Sequence, residues 1–262
     1  MQLIKVNDGS YERYEKLLLK RDQLEKDAAQ ILIEYTREFG DLLTESFEAK
    51  IACIRLKKEI AWCQTQLNRG TKIDADAMKQ EIDRVMAALY RELKDMYAET
   101  KAAKDSERIS AVTVVAVKRI YRKLAKKLHP DINPMTAREP KLSELWNRIS
   151  IAYNANDLEE LRELEVLAAA ALEEAGVGRT EVAIPDIETK ILRLEEQINE
   201  IVGTKPYTLR DILDDPAAVE AKKEELKKER DEYLQYKEEL SRMLSDLLES
   251  GGGHVTWRMN WQ

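Results

Sequence analysis

The stretch that decides the fold runs from Val117 to Tyr153, reading VKRIYRKLAKKLHPDINP over 117–134 and PKLSELWNRISIAY over 140–153. In the first part Val117, Ile120, Tyr121, Leu124 and Leu128 recur at spacings of three and four, which places them on one side of a helix. Lys118, Arg119, Arg122, Lys123, Lys126 and Lys127 fill the rest, six cations within ten residues. Like charges at helical spacing repel by about 0.2–0.5 kcal/mol per pair, so the cluster points to a negatively charged partner. The negative end of the helix dipole supplies a plainer account for the cations near the C-terminal end. Pro130, Pro134 and Pro140 then enforce a loop, because proline cannot continue a helix interior. The tripeptide His129-Pro130-Asp131 is expected to present an imidazole and a carboxylate on a stiff, exposed loop tip. Beyond the loop, Leu145, Ile149 and Ala152 form a second apolar stripe, with Trp146 and Tyr153 beside it. Two antiparallel helices joined by a stiff polar loop make a small helical hairpin.

Working outward, the chain reads as helix on both sides. Leu17, Leu24 and Ile31 repeat at seven, with Ala28 and Tyr35 in register, as in a coiled-coil seam. Gly40 is expected to stop this helix or act as a hinge. A second helix over about 41–68 carries Phe47, Ile51, Ile54 and Ala61. A third, starting near Asp74, carries Met78, Ile82, Val85, Leu89, Leu93 and Met96. Downstream, Asn156 with Glu159 three residues on predicts a capped helix reaching about Glu174 and ending at Gly176 and Gly178. Ile187, Ile191, Leu194, Ile198 and Ile201 form another seam. Val219, Leu226, Tyr233, Leu240 and Leu247 repeat every seven within a Lys/Glu-rich helix. The expected organisation is an N-terminal coiled-coil region over 1–105, a central segment with trailing helix over 106–178, a C-terminal coiled-coil hairpin over 179–250 and a Gly/Trp tail over 251–262. Trp257 and Trp261 in that tail suit either a partner-binding segment or a strand or loop packed on the body.

Composition agrees with an all-α, elongated protein. Charged residues make up 35% of the 262 residues and aromatics 6%, with 9 Gly and 6 Pro, too few turn formers and aromatics for a sheet protein. A net charge of −7 argues against a general nucleic-acid binder, leaving the basic helix as one local exception. Cys53 and Cys63 lie ten residues apart on one expected helix, too far for a local disulfide, and read as reduced, buried helix residues. The N-terminal MQLIKVNDGS has no apolar core of a signal peptide, and no apolar run is long enough to span a membrane, so a cytoplasmic protein is expected. His129 and His254 are the only histidines and lie far apart, which argues against a zinc site. No nucleophile triad, phosphate loop or dinucleotide fingerprint is present, so neither enzyme activity nor a cofactor is expected.

The central block resembles the J domain of DnaJ-type co-chaperones. YRKLAKKLHPD is similar to that family's second helix and signature tripeptide, and WNRISIAY to its third helix. The resemblance implies docking on a heat-shock ATPase of the DnaK class and stimulation of its ATP hydrolysis. It makes His129, Pro130 and Asp131 the trigger. Arg122, Lys123, Lys126 and Lys127 become the electrostatic dock, with Lys118 and Arg119 as lesser contributors. Tyr121, Leu124, Leu128, Trp146, Ile149, Ala152 and Tyr153 become the core. The flanking coiled coils would choose a client or a location, or form a homodimer. The family's Tyr-x-x-Leu-Gly first-helix stretch is absent upstream, where SERISAVTVVAVK stands, so either that helix is missing or the stretch around Leu93 to Ala103 replaces it in packing. Ile132 occupies a position that is often basic in the family. These departures motivate a rival reading, a coiled-coil scaffold with a degenerate, non-stimulating J-like block. A third reading, nucleic-acid association through the basic helix, lacks the aromatic residues that stacking on bases would need.

Overall fold

A computed structural model describes residues 9–174 and 186–249, and every regular element among them is helical. The expected tail over 251–262, the stop at Gly176 and Gly178 and the 178/179 boundary lie outside the described residues. No described helix is long and apolar enough to cross a membrane. The helices are α1 (Ser10–Asn68), α2 (Ala75–Asp105), α3 (Ala111–Leu128), α4 (Pro134–Arg138), α5 (Pro140–Ala155), α6 (Leu158–Glu174), α7 (Ile187–Gly203), α8 (Arg210–Leu213) and α9 (Pro216–Glu249), with a 3-10 turn at Tyr207–Leu209.

The chain divides into two compact units, and the division cuts across the expected segments. One unit draws on residues up to 32 together with 107–210, the other on 33–106 with residues from 211 onward. The first unit therefore holds the opening turns of α1, then α3 to α6, and α7. Its main core gathers Val117, Ile120, Tyr121, Leu124 and Leu128 from α3, Leu142, Leu145, Ile149 and Ala152 from α5, and Leu161, Leu164 and Ala168 from α6. Each of the Val, Leu and Ile side chains, fully buried, contributes roughly 1.5–3 kcal/mol. Leu19 of α1 joins the same cluster. A second cluster sets Tyr14 and Leu18 of α1 against Ile191 and Leu194 of α7. The pairs Ser10 to Glu188 (2.6 Å) and Arg13 to Glu195 (2.7 Å) show that α7 runs parallel to α1.

In the second unit α2 folds back antiparallel on α1. Arg37 Nε donates to the Ala103 carbonyl (2.9 Å), Tyr97 Oη to Glu48 (2.7 Å) and Arg55 to Asp83 (2.8 Å). By contrast α9 runs parallel to α1, through Lys223 with Glu38 (2.5 Å), Arg230 with Glu45 (2.8 Å) and Cys53 Sγ donating to the Tyr233 carbonyl (3.2 Å). Cys53 and Cys63 are free and buried.

Four expectations change. The helix does not stop at Gly40; α1 continues through it. A Cβ there would sit 2.7 Å from Thr100 Oγ1, so this glycine serves a close helix approach, not a cap. The expected 179–250 segment is divided between the units, with α7 in the first and α9 in the second. A seam announces that a partner exists without naming it, and each of these seams lies along a different part of α1. Asn156 is not an N-cap. It closes α5 in the left-handed conformation (φ 55°), and Asp157 Oδ1 instead accepts from the Glu160 N–H (2.9 Å). On α2 the apolar face is centred on Ile82 and Met86, which rotates Val85 to an exposed position.

Candidate functional site

Ser110 caps α3, its hydroxyl accepting from the Thr113 N–H (3.1 Å). The helix ends where Pro130 dictates: the His129 N–H still reaches the Ala125 carbonyl (2.9 Å), but the residue itself turns extended (ψ 127°). The His129 carbonyl then accepts from the N–H groups of Ile132 (2.9 Å) and Asn133 (2.7 Å), which folds the loop tightly. Asn133 ties both ends of it. Its Nδ2 donates to the Lys127 carbonyl (2.9 Å), and its Oδ1 accepts from the Met135 N–H (3.1 Å) to cap α4. The tripeptide is thus held by backbone hydrogen bonds on both sides.

His129 is not at an exposed tip. It is only 7% exposed. Trp146 of α5 meets its ring edge-on (centroids 4.8 Å), and Nε2 lies 3.8 Å from Asp22 Oδ2 on α1. The Asp131 N–H donates to His129 Nδ1 (3.1 Å), so the neutral ring carries its proton on Nε2, the nitrogen nearer Asp22. Burial pushes the imidazole below its ordinary value, against the opposing pull of Asp22 and Asp131 and with a smaller push from Arg21. Asp131 stays exposed and Pro130 is half-buried. The tripeptide therefore offers its carboxylate to solvent and keeps its imidazole inside.

An aromatic cluster supports this corner. Tyr121 stacks on Tyr153 (centroids 3.7 Å, 12° between planes) and lies 5.9 Å from Trp146. The Tyr121 hydroxyl donates to Asp22 Oδ2 (2.7 Å), and the Tyr153 hydroxyl to Gln23 Oε1 (3.3 Å). Lys26 lies 3.8 Å from the centre of the Tyr153 ring and donates to the Tyr153 carbonyl near the end of α5. Burial lowers its amine to about 8. Leu124, Leu128, Ile149 and Ala152 are buried beside this cluster, and Trp146 is half-buried.

The six cations of α3 divide by edge. Lys118 pairs with Asp27 (3.2 Å) and Lys126 with Glu15 (2.7 Å), both on α1, while Lys123 pairs with Glu165 of α6 (2.5 Å). Arg119, Arg122 and Lys127 are exposed and form no ion pair with any described residue. Ile132 is 2% exposed and packs with Tyr14 and Leu18 of α1 and Ile191 and Leu194 of α7. Its apolar character follows from that contact. The place expected for Leu93 to Ala103 is taken by α6 and the opening turns of α1, since Leu93 packs with Ile51, Ile82 and Met86 in the other unit.

Sequence reasoning missed Glu15, Asp22, Gln23, Lys26 and Asp27 as parts of this site. A faint signal exists, because Glu15 and Asp22 repeat at seven beside the Leu17, Leu24, Ile31 seam. Among the described residues no group of three or more His, Cys, Asp or Glu side chains is placed to hold a metal.

The described residues form an all-α protein, and part of its sequence is similar to proteins of DnaJ type. Two curated proteins, each called Chaperone protein DnaJ 2, from Mycobacterium bovis (strain ATCC BAA-935 / AF2122/97) and Mycobacterium tuberculosis (strain ATCC 25618 / H37Rv), are 42% identical over 62 residues. That match covers 24% of this chain and 15% of each relative. No protein-family model matches the chain, and no solved structure does.

Proposed function

We propose that the chain is a J-type co-chaperone that docks on a DnaK-class heat-shock ATPase and stimulates its ATP hydrolysis. One observation carries the reading: a basic helix ends in a His-Pro-Asp loop fixed by its own backbone, with Asp131, Arg119, Arg122 and Lys127 open to solvent. Such a field speeds encounter with an acidic partner and makes it salt-sensitive. The likeness to DnaJ 2 supports the same partner class. In this reading the nucleotide and its chemistry belong to the ATPase, and this chain contributes no covalent step or cofactor. The long helices carry client choice, location or self-association, in a soluble, cytoplasmic setting.

The test is ATP hydrolysis by a DnaK-class chaperone with the native chain, His129→Gln and Asp131→Asn. Stimulation by the native chain, lost in both variants, is the expected outcome. The reading fails if a chain whose His129 reacts freely with an imidazole reagent still gives no stimulation. The burial of His129 favours one rival, a helical scaffold whose J-like block is purely structural, and the same experiment separates the two.

A further inference from the structure

The edge of α3 that carries Lys118, Tyr121, Lys126 and His129 is already occupied. Within the first unit, α1 sets Asp27 against Lys118, Glu15 against Lys126, and Asp22 against both the Tyr121 hydroxyl and the His129 ring. Tyr14 and Leu18 of α1 enclose Ile132, the residue that follows the tripeptide. Three carboxylates over a basic helix, beside an apolar contact, form the kind of surface that an acidic docking partner would bring.

We propose that residues 10–32 of α1 are a built-in cover for the His-Pro-Asp face, and that docking requires this stretch to separate from α3 and the loop. What docks rests on the co-chaperone reading; that a cover exists and opens is a property of the chain alone. The rim of the contact is the part that yields first. Its charged pairs sit at a partly exposed rim, where salt and competing carboxylates weaken them. Arg119, Arg122 and Lys127 stay open beside it and give an acidic partner a foothold while the cover is closed. From there the partner's carboxylates compete with Glu15 and Asp27 for Lys126 and Lys118. Asp131 is exposed in the closed state, so one residue of the tripeptide is already on display.

The experiment reads the reactivity of His129 with diethyl pyrocarbonate, by mass spectrometry of its own peptide, alongside ATP hydrolysis by a DnaK-class chaperone. It uses the full native chain and the double variant Glu15→Lys/Asp27→Lys, which turns two attractions into repulsions. Asp22→Asn is the milder second variant, used if circular dichroism shows the double variant unfolded. In the native chain His129 should react about tenfold more slowly than in the urea-unfolded chain, in line with its burial. The variant should react severalfold faster than native, and its stimulation of ATP hydrolysis should rise in step. Native His129 reacting at the unfolded rate overturns the cover. So does a variant that labels fast yet stimulates no more than an active native chain. Slow labelling in the native chain and fast labelling in the variant, with no stimulation by either, keeps the cover and discards the co-chaperone reading.

Discussion

The two stretches of α1 carry the same kind of heptad pattern and use it differently. Over 33–68 the helix packs as an ordinary coiled coil: Ile51 meets Ile82 and Met86, and its charges pair at the surface with α2 and α9. Over 10–32 the seam is flanked by polar side chains that are drawn inward. Asp22 and Gln23 accept from tyrosine hydroxyls, and Lys26 is buried against Tyr153. A coiled coil held by apolar burial tolerates many sequences, whereas buried polar groups need particular partners or they cost stability. The first stretch is therefore specific to the face it covers along most of its length, whereas in the second the specific contacts gather where Gly40 and Thr44 meet Thr100.

Met86→Ala should have the largest effect. Met86 is fully buried, and truncation should cost about 2–5 kcal/mol by chemical denaturation. His129 reactivity should stay unchanged, and a change there would break the distinction between the two stretches. Next comes Asp22→Ala, which leaves the buried Tyr121 hydroxyl without its acceptor and should cost about 1–3 kcal/mol. Tyr121→Phe in that background should recover part of the loss, and a double-mutant cycle with no coupling would deny the specificity claimed for 10–32. Gly40→Ala should press against Thr100 and cost about 1–3 kcal/mol, relieved by Thr100→Ala.

The smallest effect is with pH. Folding makes His129 harder to protonate than in the unfolded chain, so its contribution is fully present above 6.5 and declines as pH falls below that value. Asp22 and Asp131 oppose this shift and Arg21 adds to it. His129→Gln should flatten the stability profile on the acid side, and an unchanged profile would place the ring in water.

The local parts of the site were legible in the sequence. The limits of α3, the loop enforced by Pro130 and the aromatic and apolar residues of α5 follow from periodicity and proline stereochemistry. The environment of His129 was only partly legible, because Trp146 faces it from α5 but Asp22 comes from α1, and no local pattern connects residues so far apart in the chain. Gly40 misled for a related reason: a helix-stopping glycine and a close-packing glycine look alike until the neighbouring Thr100 is placed. Ile132 looked like a departure from a family pattern and turned out to be a contact. The α7 and α9 seams were visible as seams, but their choice of different stretches of α1 was not.

The contacts that close the cover also set an order in time. Asp22 and Tyr121 are 99 residues apart and Lys26 and Tyr153 are 127 apart, whereas Arg148 and Glu160, which link α5 to α6, are only 12 apart. Short loops close first, since the entropic cost of closure rises with the length of chain spanned. A refolding molecule, or one leaving the ribosome, therefore assembles the loop-bearing helices while α1 is still searching for them. During that interval the His-Pro-Asp face is bare. Any partner of that face would meet it most readily then, so the age of the molecule, as well as its sequence, would decide how readily it is engaged.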